Sequence, residues 1–151
     1  MSSDNNETRT GPETVAWMRK VYKKIPVLGL IGADPISYDV ETGEVVVGYF
    51  ARNEFLNLIG SVQGGILTSM LDNVMSFAVL AALEPGHAAP SLEIKTSYLS
   101  PAPAGKIIGR GNMVRRGRTI AFMEGRLYGP DDTLLATATG TAQIRKMNRL
   151  V

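Results

Sequence analysis

Residues 64–83, GGILTSMLDNVMSFAVLAAL, would be apolar almost all the way round if coiled into a helix. Ile66, Leu67, Met70, Leu71, Val74, Met75, Phe77, Ala78 and Val79 cover most of the circumference. Such a helix cannot lie at a surface, so the rest of the chain must wrap it. Ser69, Asp72, Asn73 and Ser76 recur at i, i+3, i+4 and i+7 and share one narrow polar stripe. A carboxylate in that setting is costly unless something satisfies or uses it. The stripe has two readings. It is partly solvated or meets another subunit, or it lines a polar site. In the second reading Asp72 is a general base or nucleophile, and Ser76, one turn on, orients a water.

The wrapping layer is legible as strands. Segments 31–39, 44–51, 91–99, 106–115, 119–128 and 134–144 are strand candidates. Turn residues separate several of them, namely Glu41-Thr42-Gly43, Arg116-Gly117 and Gly129-Pro130-Asp131. The last segment alternates most clearly. Leu134, Ala136, Ala138, Gly140, Ala142 and Ile144 fall on one small, apolar face that a helix can approach closely. Short turns between consecutive strands imply antiparallel pairing. Before the strands, 12–24 is a short amphipathic helix with Val15, Met18 and Tyr22 on one side, and Pro26 stops it. Residues 52–63 form a loop. The expected organisation is a disordered tail over 1–11 and one α+β domain over 12–151, an antiparallel sheet around one long helix.

Composition excludes some classes. The chain has 151 residues, 44% hydrophobic and 20% charged, with net charge +2 from 16 basic and 14 acidic side chains. That balance argues against nucleic acid as a partner. With no cysteine, disulfides, zinc–thiolate sites and a cysteine nucleophile are ruled out. The polar start MSSDNNETRT has no apolar core of a signal peptide, and the apolar run at 74–83 is too short to span a bilayer. A cytoplasmic protein without membrane contact is expected. His87, the single histidine, sits in the Pro85-Gly86 loop and reads as a surface residue.

Gly64-Gly65 opens the apolar helix. The first amides of a helix lack intrahelical partners, and the dipole there favours negative charge. Without side chains in the way, those N–H groups could hold a carbonyl oxygen that becomes an oxyanion. Tight packing at a loop-to-helix corner is the other explanation. Gly64 and Asp72 stand eight residues apart, or roughly 12 Å along a helix, whereas a base and an oxyanion hole both lie about 3 Å from one reacting centre. If both act, Asp72 must meet Gly64 of a second chain, and a two-fold dimer then carries two equivalent sites.

Asn57, Gln63-Gly64-Gly65 and Asp72 stand at the spacings of a known pattern, an Asn, then His-Gly-Gly, then Asp. With SLEIKTSYLSPAPAG, including Tyr98 to Pro101, and GRTIAFMEGRLYGPDDTLLATATGTAQI, the chain over about 40–145 resembles the hotdog-fold acyl-CoA thioesterases, especially the phenylacetate-degradation type. The resemblance implies a hotdog fold, a five- to six-stranded antiparallel sheet round the central helix. It implies homodimers, paired further into dimers of dimers, with sites at the dimer interface. Acyl-CoA is the implied substrate, hydrolysed by water without a metal or redox cofactor. In its terms Asp72 is the catalytic carboxylate, as base or nucleophile, and the Gly64 N–H polarises the thioester carbonyl. Asn57 holds the substrate or the attacking water, and Ser91 helps position the nucleophile.

Gln63 departs from the pattern, since His is usual there. Its amide can donate a hydrogen bond but cannot supply a proton. A non-catalytic acyl-CoA-binding protein is the alternative that this departure keeps open. Hotdog dehydratases and hydratases need a His with an acidic partner, and no His stands in a suitable place. Arg115, Arg116 and Arg118 surround Gly117. By themselves they read as a solvated turn; the resemblance adds an equal second reading, since in the family the corresponding turn often lies near the CoA nucleotide, whose phosphates arginine binds well.

Overall fold

The computed structural model describes residues 9–147. Residues 1–8 of the tail expected to be disordered lie outside the described residues. Helix α1 spans Gly11–Tyr22 and opens on a capping box. The Thr10 hydroxyl accepts from the Glu13 amide, and the Glu13 carboxylate accepts from the Thr10 amide at 2.8 Å. Its buried side is Thr14, Val15, Met18 and Tyr22. Pro26 does more than stop this helix: it begins a second one, α2 (Pro26–Leu30), in a stretch to which the sequence reading assigned no element. Ile25 before it is extended, as a residue preceding proline must be, and proline suits the first helical position.

The strands are β1 (Asp34–Tyr38), β2 (Val45–Ala51), β3 (His87–Ala88), β4 (Ser91–Tyr98), β5 (Gly105–Arg116), β6 (Ile120–Tyr128), β7 (Leu134–Gln143) and β8 (Arg145–Lys146). Six of them form one antiparallel sheet in the order β1-β2-β5-β6-β7-β4, so β1 and β4 are its edges. The two-residue strands β3 and β8 pair separately, His87 with Lys146 and Ala88 with Arg145. On β7 the expected small face holds: Ala136, Ala138, Gly140 and Ala142 are buried. Leu135 is buried as well, because the register with β6 slips between Leu127 and Tyr128.

Helix α3 (Gly64–Ala81) is the expected central helix and packs against β2, β4, β5, β6 and β7. By length and composition alone it could cross a bilayer, with mean hydropathy 1.4, which the sequence reading had discounted. Leu67, Met70, Leu71, Val74, Met75 and Val79 spend that apolar surface inside the core. Glycine allows the closest approach: a Cβ on Gly111 would sit 2.5 Å from the Val74 carbonyl oxygen. One polar group crosses this core. The Asn73 Oδ1 accepts from the Tyr49 hydroxyl at 2.7 Å and the Tyr22 hydroxyl at 3.1 Å. Burial raises both phenol pKa values, Tyr49 most strongly.

Candidate active site

Two polar clusters stand along α3. The first is its N-terminus. The 52–63 loop, which contains a short 3-10 turn at Asn53–Phe55, delivers Gln63 as the helix N-cap with extended backbone, φ −56° and ψ 134°. The loop is tied down by the Gln63 amide on the Phe55 carbonyl and the Val62 amide on the Ala102 carbonyl, each 2.8 Å. Asn57 shapes its tip: Oδ1 accepts from the Ile59 and Ser61 amides, both at 3.1 Å. That occupies the side-chain oxygen, while its NH2 group makes no hydrogen bond among the described residues. Gln63 is exposed and its side chain makes no cap hydrogen bond.

The Ile66 and Leu67 amides return to the Gln63 carbonyl, while the Gly64 and Gly65 amides have no partner among the described residues. These are the orphan donors that a helix start provides. Tyr98, at the end of β4, lies against this corner. Its hydroxyl donates to the Gly64 carbonyl at 2.9 Å and shares a 2.7 Å hydrogen bond with Thr68. A Cβ on Gly64 would meet the Tyr98 ring at 2.8 Å, so glycine here also serves close packing. Both explanations of the Gly-Gly pair therefore have a physical counterpart. Asn57, Ile59, Gly64, Leu67, Tyr98 and Pro101 line a cleft of about 430 Å³.

The second cluster is two turns on. Asp72 Oδ1 accepts from the Ser91 hydroxyl at 2.5 Å and the Ser76 hydroxyl at 3.2 Å; the two serines are 3.4 Å apart. Oδ2 takes no hydrogen bond among the described residues, and Asp72 is only partly buried, so that oxygen faces open space. Ser76 orients the carboxylate itself. Ser91, the first residue of β4, reaches Asp72 across a register irregularity between Ser91 and Glu93. Asp72 and Ser76 line a separate cleft of about 280 Å³ with Val27, Leu28 and Phe77.

Asn73 behaves differently from the rest of the stripe. Its side-chain oxygen is committed to Tyr22 and Tyr49, and it is 7% exposed. Ser69 bonds back to the Gly65 carbonyl at 2.9 Å, a local helix contact.

The clefts occupy opposite ends of β4, Ser91 beside one and Tyr98 beside the other. One chain thus brings Asp72, Ser76 and Ser91 together, and brings Asn57, Gln63 and Gly64 together, without joining the two groups. Tyr98 and Thr68 are contacts that sequence reasoning missed. Tyr98 had been noted only as part of a family pattern.

Arg115, Arg116 and Arg118 lie exposed at the β5–β6 turn, which the Gly117 amide closes on the Ile120 carbonyl at 2.7 Å. None of the three forms an ion pair among the described residues. Cross-strand partners share a face. Arg116 pairs with Ala121, Ala121 with Ala142, and Ala142 with Ser91, so Arg116 stands on the Ser91 row. Three strand spacings put it about 14 Å away. His87 lies in β3, with Nδ1 3.0 Å from the Glu84 carbonyl oxygen, and lines neither cleft. Among the described residues no group of acidic, His or Cys side chains could hold a metal.

Comparison with known proteins bears on what this arrangement does. The chain is 29% identical over 119 residues to acyl-coenzyme A thioesterase 13 of Homo sapiens, covering 76% of this chain and 79% of that one. Among solved structures, a phenylacetic acid degradation-related protein of Ralstonia eutropha JMP134 is 40% identical, with TM-score 0.75 over 79% of this chain and 89% of that one. The E. coli PaaI protein of the phenylacetic acid degradation operon shares the fold, with TM-score 0.77 at 22% identity over 87% of this chain and 94% of that one. The sequence model of the thioesterase superfamily matches residues 59–136, from the loop before Gly64 through Asp72 and Ser91 into β7. The chain therefore belongs to the thioesterase superfamily: it is a thioester hydrolase built on the hotdog fold.

Proposed function

We propose that the protein hydrolyses acyl-CoA thioesters at two equivalent sites of a homodimer, each site taking Asp72 from one subunit and Gly64 from the other. The observation that carries this reading is the separation within one chain. A carboxylate with one free oxygen and a helix start with free amides line different clefts at opposite ends of β4. β4 is an edge strand with exposed Leu92 and Tyr98, at 57% and 53%. An edge of that kind invites pairing with a second copy. Antiparallel pairing about a two-fold axis between Ile94 and Lys95 would set Ser91 of one chain opposite Tyr98 of the other. Asp72 and the partner's Gly64 would then share one site. Pairing of such dimers into tetramers is part of the same reading.

The chemistry follows from the donors and acceptors. Asp72 Oδ2 takes a proton from water as the water oxygen bonds to the thioester carbonyl carbon, or attacks that carbon itself. In the second case water then hydrolyses the anhydride. Negative charge builds on the carbonyl oxygen, where the partner subunit's Gly64 amide donates to it. The C–S bond breaks; the thiolate takes the proton held by Asp72 in the first case, and in the second it leaves as the anhydride forms and is protonated by the water that later hydrolyses the anhydride. Thiolate is a good leaving group, so Gln63, a hydrogen-bond donor without a proton to give, suffices where a His is usual. Asn57 would steady substrate or water through its NH2 group, and Arg116 and its neighbours would take the nucleotide phosphates.

A thiol-release assay over several acyl-CoAs tests the assignment. Asp72→Asn should lower kcat about 10²–10⁴-fold on every substrate. Turnover surviving in a folded Asp72→Asn protein would refute Asp72 as base or nucleophile.

A further inference from the structure

The amide on which the proposed chemistry depends sits on the least restrained turn of α3. Gln63 gives the helix start no side-chain cap, the first turn carries no acidic residue, and its first two residues are glycines. Glycine restrains its own backbone least, and uncapped helix ends fray. A donor to a developing oxyanion is effective when it is held in place beforehand. The restraint on this turn has to come from outside the helix.

Tyr98 supplies it from the sheet. Its ring lies against Gly64, where an added Cβ would come within 2.8 Å of it, and its hydroxyl donates to the Gly64 carbonyl at 2.9 Å. Tyr98 is itself anchored. It pairs with Ala136 of β7, and the next two amides, Leu99 and Ser100, donate to the carbonyl of buried Leu135 at 2.8 and 3.2 Å. Four residues on, Ala102 holds the other side of the corner. Its amide donates to the Ser61 hydroxyl at 2.9 Å, and its carbonyl accepts from the Val62 amide at 2.8 Å. Residues 98–102 therefore hold both the loop that enters α3 and the turn that begins it. Thr68 competes for the same phenol. A phenol has one hydrogen to donate. Thr68 Oγ1 lies 2.7 Å from the Tyr98 hydroxyl and donates in turn to Thr96 at 3.1 Å, so the hydrogen divides between Gly64 and Thr68.

We infer that Tyr98 is a positioning residue for thioester hydrolysis: its ring and hydroxyl, set against Gly64, hold the amide donor of the oxyanion site in place. The inference deepens the function proposed above and rests on the Gly64 amide being that donor. It gives β4 a task at each end. Ser91 hydrogen-bonds the carboxylate, and Tyr98 hydrogen-bonds the turn that carries the amide. In the proposed dimer these two ends, from different subunits, meet at each site.

The experiment measures kcat, KM and urea midpoints for the wild type and three variants. The substrate is whichever of acetyl-, octanoyl- and phenylacetyl-CoA the wild type turns over fastest. Tyr98→Phe keeps the ring and removes the hydroxyl. It should lower kcat about fivefold or more, the worth of one neutral hydrogen bond, with KM near the wild-type value. Thr68→Val removes the competing hydroxyl and leaves the Tyr98 hydrogen to Gly64, so kcat should stay at or above that of the wild type. Both variants lose the 2.7 Å bond between Tyr98 and Thr68, so a purely structural effect would move their urea midpoints and their kcat together. Equal kcat losses in the two variants, a wild-type kcat in Tyr98→Phe, or a rise in its KM alone overturns the inference. Gly64→Pro, shown to fold and dimerise, separates the two claims. If it is inactive while Tyr98→Phe matches the wild type, only the role of Tyr98 falls. If it keeps wild-type turnover, the donor assignment beneath falls.

Discussion

Asp72 and Asn73 are neighbours on one helix with opposite fates. Asp72 keeps an oxygen free beside a cleft, while Asn73 is sealed in the core by two phenols. A helical wheel put both on one polar stripe, since they differ by about 100° of rotation. What separates them is Tyr22 from α1 and Tyr49 from β2, residues too distant in sequence for any local pattern to associate. Ser91 was legible only through the family resemblance, because a serine opening a strand carries no signal of its own. If Asp72 acts as proposed, the 2.5 Å hydrogen bond from Ser91 orients its carboxylate, and Ser91→Ala should lower kcat about tenfold, the worth of a charged hydrogen bond, with KM little changed. A rise in KM alone would contradict that role.

The two phenols also set a pH limit. Both folded pKa values are raised above the unfolded value near 10, so their contribution is complete below about pH 10 and is lost as pH climbs beyond it. Urea midpoints should be insensitive to these groups up to pH 10 and fall above it, and Tyr49→Phe should flatten the fall.

At the scale of elements, hydrophobic patterning carried most of the fold. The all-round apolar run became α3, the alternation at 134–144 became β7, and each of the six long strand candidates became a strand of the sheet. What the patterning could not carry was short or set by neighbours. Helix α2 has five residues, too few to show a period, and it is bounded by Pro26 and by Gly32 at φ +64°. Strands β3 and β8 exist because the segment between α3 and β4 meets the segment that follows β7, and the burial of Leu135 follows from a slipped register. The glycines of the sheet went unread as well. Gly111 faces the Val74 backbone, which cannot yield, whereas Gly125 faces the Met75 side chain at 2.8 Å, which can. Gly111→Ala should therefore destabilise by about 2–3 kcal/mol and Gly125→Ala by less, read from urea unfolding. Equal losses would mean that the helix shifts freely on the sheet.

At the scale of the whole molecule, one chain presents two incomplete sites. The distance argument made from sequence, eight helical residues between donor and base, corresponds to separate clefts in the structure. The sequence could not reveal that β4 links them, with Ser91 at one end and Tyr98 at the other, or that β4 is an unpaired edge. Two-fold pairing along that edge would complete both sites at once. The central claim is this sharing, and subunit mixing tests it most directly. Gly64→Pro removes the amide donor at a helix start that accepts proline, with Gln63 already extended, and its Cβ displaces the Tyr98 ring, so the variant must first be shown to dimerise. Asp72→Ala removes the carboxylate. Each variant alone should be inactive. After equal mixing with confirmed exchange, half the dimers are mixed and each holds one intact site, so about a quarter of wild-type activity should return. No recovery from subunits shown to have exchanged would contradict a site shared between chains.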